Sequence, residues 1–184
     1  MSLYKTKPEL LDGVETIKNS PKDHGVLEMI VIRPKDRERK VLEECQLSAK
    51  LGVQGDFWAE TCWSTLPDGS PNPDVQVTLM NSRCIALLAQ EKSRWPLAGD
   101  QLFVDLDLSS ENLPAGQRLA IGTAVLEITA VPHTGCKLFV ERFGAAAAIF
   151  VNSEIGKQLH LRGIYARVVQ DGLVKTQDRI TKIA

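Results

Sequence analysis

The sequence predicts a mainly β domain, barrel-like, with a few peripheral α-helices. Three observations carry this reading. Apolar residues recur in runs or alternations of about four to eight residues, the length and period of strands. Turn signals separate these runs, most clearly Asp171-Gly172, which suits a tight hairpin. Only a few segments carry helical spacing, so helices should sit around the strands.

Residues 1–25 are mixed and charged and read as an N-terminal extension ahead of a single domain over 26–184. Within it, PELLDGVETI predicts a short helix with Leu10, Leu11, Val14 and Ile17 near one face. VLEMIVIRP is the first clear strand, closed by Pro34. The charged tip KDRER leads into KVLEECQLS, read as a strand with Val41, Glu43, Cys45 and Leu47 on one face, neither face being cleanly apolar. GVQGDFW is a turn, because two glycines and an aspartate crowd it. STLPDGSPNPD holds three prolines and a glycine in eleven residues and predicts an exposed loop. VQVTLM reads as a strand. NSRCIALLAQEK reads as a helix, capped by Asn81 or Ser82, with Ile85, Leu88 and Ala89 facing inward. QLFVDLDL alternates over eight residues, and RLAIGTAVLEITAV gives two short strands joined near Gly122. GCKLFVERFG and AAAAIFVNSEIG read as helices broken at Gly144. GIYARVVQDGLVKT is a hairpin, and DRITKIA a closing strand.

A chain of 184 residues favours one domain. Folding at that size buries about 70% of the unfolded surface, so one core suffices without disulfides or a structural metal. Net charge is −1 and no block of five like charges occurs, which excludes an electrostatic case for nucleic acid or an anionic membrane. No segment approaches 18 continuous apolar residues, and the N-terminus has no apolar leader core. The reading is cytoplasmic. Four cysteines, at 45, 62, 84 and 136, form no CxxC pair, so a zinc ribbon or thioredoxin-like site is not supported.

The stretch VPHTGCKLF concentrates the candidate chemistry. Cys136 follows a strand and precedes a helix. With Thr134 as N-cap, its sulfur lies near unpaired N–H groups and the positive end of the helix dipole, which favours thiolate. A thiolate serves both a sulfur nucleophile and a soft metal centre. Cys136 as a small buried hydrophobe stays open beside these. His133 is a candidate base or anion donor, or a residue bonded to nearby backbone. Asp105 and Asp107 alternate on one strand face, most simply from solvent exposure. Gly52, Gly55 and Asp56 suit a phosphate-cradling turn, though GxxGD is a weak motif. Arg94, Arg118, Arg142, Arg162 and Arg167 are dispersed along the chain.

Taken in order, several segments resemble the MOSC domain family, named for the C-terminal domain of molybdenum cofactor sulfurase. GVQGD is similar to the family's early glycine-aspartate turn, and VQVTLM to the strand after it. GDQL is similar to its GENL element, and SSENLPAGQRLAIG to the region before its central strands. VLEITAVPHTGCKL resembles the segment with the family's characteristic cysteine, and GIYARVVQDG its last hairpin. The resemblance spans roughly residues 26–182 and implies a stand-alone MOSC-like β-barrel.

It also implies that Cys136 is the key residue: a ligand to molybdenum in a cofactor-dependent reductase of N-hydroxylated or oxidised small molecules, or the persulfide carrier in sulfur transfer. His133, Thr134, Gly135, Lys137 and Arg142 are the implied cofactor-binding neighbours, with Asp56 of GVQGD and Asp100 and Gln101 of GDQL. Electrons would come from a separate donor protein, and sulfur from a cysteine desulfurase. The chain departs from the family where His133 and Gly135 replace the arginine and proline of PRxPC, and where Phe57 and Trp58 follow GVQGD. A non-catalytic binding module with a degenerate site would show a pocket without converging arginines.

Overall fold

The computed structural model describes residues 4–184. Eleven strands form among them: β1 Gly25–Ile32, β2 Lys40–Leu42, β3 Glu44–Ser48, β4 Gly52–Val53, β5 Val77–Asn81, β6 Leu102–Asp105, β7 Arg118–Ile121, β8 Ala124–Ile128, β9 Ile164–Gln170, β10 Gly172–Lys175 and β11 Arg179–Ile183. The α-helices are α1 Lys7–Asp12, α2 Val14–Lys18, α3 Trp58–Thr61, α4 Ser82–Ala89, α5 Lys137–Asn152 and α6 Glu154–Gln158. Strands run in the order β11-β7-β8-β9-β5-β6-β1, and a further β11–β1 pairing closes them into a seven-stranded barrel. β5 and β6 are parallel and the other pairs antiparallel. β2 extends from β1, and β10-β3-β4 make a small second sheet.

Period-2 alternation explains the two cores. Leu102, Val104, Leu106 and Leu108 all point into the barrel, with Leu27, Ile30, Val77, Leu79 and Ile164. Phe103, Met80, Met29 and Val31 point outward into a second cluster, covered by α1, α2, α4 and α5. A bulge between Leu27 and Met29 resets the alternation of β1, so Leu27 and Ile30 both face the interior. Each fully buried side chain of this size stabilises the fold by about 1.5–3 kcal/mol over its exposed state.

Several elements differ in detail from the sequence reading. The N-terminal helix is two helices meeting at Gly13; Leu10, Val14 and Ile17 join the outer core, while Leu11 is exposed. KVLEECQLS divides into β2 and β3, which enter different sheets. The ladder of QLFVDLDL stops at Asp105, although its inward alternation continues to Leu108. Asp105 is partly exposed and pairs with Arg83 at 2.7 Å, and the partly exposed Asp107 accepts from the Ser109 backbone. The proline-rich loop closes on itself through a Thr65–Pro71 bridge. The Asn81 cap is present, its side chain accepting from the Cys84 N–H. Gly144 interrupts α5 with φ +86°.

Candidate functional site

A cleft of about 230 Å³ opens beside Cys136. Chain segments far apart in sequence furnish it. Arg33 lies just past β1 and Arg39 just before β2. His133 and Cys136 come from the loop between β8 and α5, Arg142 from α5, and Arg162 from the approach to β9. Among the described residues the lining holds four arginines and no carboxylate. The pocket therefore has converging arginines, unlike the one expected of a degenerate module. Of the four cysteines only Cys136 is exposed.

Each arginine is held by groups behind the cleft. Arg33 makes a two-pronged pair with Asp56, Nε to Oδ2 at 2.9 Å and Nη2 to Oδ1 at 2.7 Å. The same carboxylate accepts the backbone N–H groups of Arg33 and Trp58. Arg162 donates to Asp100 at 2.7 Å and to the Ala98 carbonyl at 3.1 Å, with its guanidinium 4.8 Å from the Phe139 ring centre. Arg142 donates to the Leu97 carbonyl, and Arg39 to the Glu38 carbonyl. Arg39 and Arg142 both border Gly99, whose φ of +89° turns the backbone there.

These restraints leave donors unused. Arg39 Nε and Arg162 Nε are buried without a hydrogen-bond partner. Arg39 is held below the ordinary arginine range, first by burial and then by the charges of Arg142 and Arg33. Buried donors and mutually repelling cations cost free energy that a bound anion would recover.

His133 stands between the arginines and the interior. Its side chain is 9% exposed, and Nδ1 lies 3.6 Å from Oδ1 of the fully buried Asp100. That spacing exceeds a hydrogen bond, and both atoms lack one. Burial, followed by the charges of Arg162 and Arg33, drives His133 well below its ordinary pKa. It is therefore neutral at pH 7, and the close approach to Asp100 is not an ion pair. Burial raises the Asp100 carboxyl, against the pull of Arg162. The imidazole packs on Tyr165, ring centres 4.6 Å apart. Gly163 permits this approach: a Cβ there would meet the Leu79 carbonyl at 2.5 Å and both Asp100 and His133 at 3.3 Å.

The other sequence candidates divide into two groups. Asp56, Asp100 and Gln101 form a buried layer behind the cleft. The Asp56 carboxylate holds Arg33, which links GVQGD to the cleft through that arginine. Gln101 ties Asp56 to Thr78, accepting from the Thr78 backbone at 2.9 Å. Thr134 and Lys137 are exposed and outside the cleft lining, and the Gly135 N–H is taken by Asn152 Oδ1 at 3.1 Å. Thr134 is not the helix cap. Cys136 itself is N-cap, because the chain stays extended through it (φ −103°, ψ 178°) and turns helical at Lys137. The Cys136 side chain makes no capping bond. Sequence reasoning passed over Arg33 and Arg39 as site residues. The signal was a basic run, RPKDRERK, directly after a strand.

The fold and site define a class: a closed mixed β-barrel domain with an exposed thiol beside four converging arginines, two of them paired with the buried Asp56 and Asp100. The MOSC domain profile matches residues 72–181. The chain belongs to the MOSC domain family. Its fold is shared with YuaD of Bacillus subtilis at 18% identity and TM-score 0.61, over 85% of this chain and 93% of that one. It is also shared with YiiM of Escherichia coli at 18% identity and TM-score 0.56, over 86% and 70% of the two chains. YiiM of Geobacillus stearothermophilus is similar at 13% identity and TM-score 0.56, over 87% and 75%. No curated protein matches the chain. No helix among the described residues is long and apolar enough to cross a membrane.

Proposed function

We propose that this MOSC domain binds molybdenum cofactor in the arginine cleft, with Cys136 as the protein's sulfur ligand to the metal, and acts as a reductase of N-hydroxylated or oxidised small molecules. The observation that carries the reading is the exposed Cys136 thiol in a cleft that holds, among the described residues, four arginines, two unused buried guanidinium donors and no carboxylate. Such a donor set fits a phosphate-bearing pterin: Arg39 and Arg162 offer free N–H groups, while Arg33 and Arg142 are braced at the same cleft. Among the described residues no three His, Cys, Asp or Glu side chains gather as a metal centre. A metal here would take one sulfur from the protein and its remaining donors from the cofactor.

When bound, the cofactor supplies a two-electron redox couple that thiol and guanidinium groups lack. The chain's own residues bind and orient. Asp56 and Asp100 fix Arg33 and Arg162, Phe139 and Tyr165 shield one wall, and neutral His133 offers a proton-exchanging nitrogen beside the cleft. Electrons would arrive from a separate protein. Purification from a molybdate-supplied host, with metal and pterin analysis, tests the reading. Near-stoichiometric molybdenum in the wild type and loss of most of it in Cys136→Ser is expected. Equal, trace molybdenum in both would overturn it.

A sulfur carrier is the second reading, favoured by the exposure of Cys136 against the burial of Cys45 and Cys84. It expects a persulfide on Cys136 after incubation with a cysteine desulfurase and cysteine. An unmodified Cys136 in the mass spectrum, under conditions that load a known carrier, would remove it.

A further inference from the structure

A cavity larger than the arginine cleft, of about 610 Å³, lies on the other side of the 129–134 segment, between that loop, α6 and the 110–115 turn. This lies within the span of about 300–1,000 Å³ usual for small-molecule sites. Its walls are mostly apolar, from Leu113, Pro114, Ile128, Val131, Val151 and Ile164. Its charged groups are of one sign: Lys157 and Arg162 line it, beside the histidines His133 and His160 and uncharged hydroxyl and amide groups, and no carboxylate does among the described residues. His160 Nδ1 lies 2.7 Å from the Leu108 carbonyl, which can only accept, so Nδ1 carries the hydrogen and the ring orientation is fixed.

His133 and Arg162 line both this cavity and the Cys136 cleft. Both side chains are more than nine-tenths buried, and each keeps a ring or guanidinium nitrogen without a partner. They form a shared wall carrying unused hydrogen-bonding capacity. An apolar chamber of this size, whose only charges among the described residues are Lys157 and Arg162, fits a ligand with an apolar ring body and one anionic group.

We propose that the larger cavity binds a small, ring-bearing organic monoanion, and that it is the pocket for the organic substrate whose reacting end meets Cys136's cleft at His133 and Arg162. Binding stands on the cavity itself; the role of the ligand as substrate rests on the cofactor reading above. The apolar body is desolvated against Leu113, Val151 and Ile164, and the anion lies toward Lys157 and His160.

The matched probes are 2-naphthoate and its neutral amide, 2-naphthamide, titrated into cofactor-free protein and followed by amide NMR shifts. Saturable naphthoate binding is expected, with shifts centred on residues 113–115, 128–134 and 156–164, and about five- to tenfold weaker binding of the amide. Lys157→Glu should weaken naphthoate by a similar factor and leave the amide unchanged. Ala115→Trp and Ala130→Trp, two exposed lip positions on separate segments, should each weaken both probes at least tenfold while keeping the wild-type unfolding midpoint. Cys136→Ser and Arg39→Met should bind naphthoate as the wild type does, so loss of the cofactor reading would leave this site standing. Shifts confined to the arginine cleft, or naphthoate binding unmoved by both lip variants, would overturn the proposal. Equal affinity for the two probes would overturn its anionic part.

Discussion

Asp56→Ala tests whether Asp56 acts by holding Arg33. The Asp56 side chain is wholly buried and accepts from the backbone N–H groups of Arg33 at 2.8 Å and Trp58 at 3.0 Å, besides the guanidinium fork. Truncation leaves two backbone donors unmet, at about 1–1.5 kcal/mol each, near the low end for buried donors because water can enter the space. The Arg33 head is 21% exposed and can turn toward solvent, so its lost pair adds no more than about 1 kcal/mol. The sum is about 3 kcal/mol, a fall in Tm of roughly 6–12 °C for a chain of this size. Asp56→Asn keeps one acceptor oxygen and should lose about half as much. Urea unfolding followed by tryptophan fluorescence measures both. Pyrophosphate affinity of the cofactor-free protein should fall several-fold in Asp56→Ala, because Arg33 is no longer braced. A destabilisation below about 1 kcal/mol, or an Asn variant as unstable as the Ala variant, would refute the reasoning.

Three further outcomes follow from the same geometry. Arg39→Met removes a half-buried cation repelled by Arg142 and Arg33, so stability should hold or rise by up to about 1 kcal/mol while pyrophosphate affinity drops about tenfold; calorimetry and unfolding on one preparation separate the two. His133 is depressed below its unfolded pKa of about 6.5, so its contribution is complete above that pH and is lost as the unfolded chain takes up the proton first. Relative to His133→Gln, the wild type should lose up to about 1.4 kcal/mol per pH unit as pH falls below about 6.5, and parallel stability curves from pH 8 to 5 would contradict this. Under native conditions iodoacetamide should label Cys136 first and spare Cys84, whose thiol burial pushes up to about 12, as read by peptide mass spectrometry.

Much of the barrel was legible because period-2 patterns survive folding unchanged. The alternation from Leu102 to Leu108 reads directly as an inward face, and the Asn81 cap and Gly144 break carry local signals that tertiary contacts only confirm. Pairing was less legible. Nothing local in KVLEECQLS says that β2 folds back on β1 while β3 leaves for another sheet, since the β10 partner of β3 lies more than a hundred residues away.

The site divides along the same line. Cys136 stood out from its own neighbours and from the family resemblance. Its role as N-cap instead of Thr134 is a boundary shift of the size that local signals leave open. Arg33 and Arg39 sat in a tip that reads as solvated charge. They become site residues only because β1, β2 and the 129–136 loop end near one another in the closed barrel. Asp56, Asp100 and Gln101 were legible as motif positions but not as buried supports, because burial depends on chain segments that pack over them from elsewhere.

Molybdenum-edge X-ray absorption bears most directly on the site, on wild type and on Cys136→Ser brought to equal molybdenum content in vitro with excess molybdenum cofactor. With Cys136 as the protein's ligand, the wild type should show one more sulfur scatterer at molybdenum than the variant. Identical sulfur counts in two equally loaded samples would contradict it.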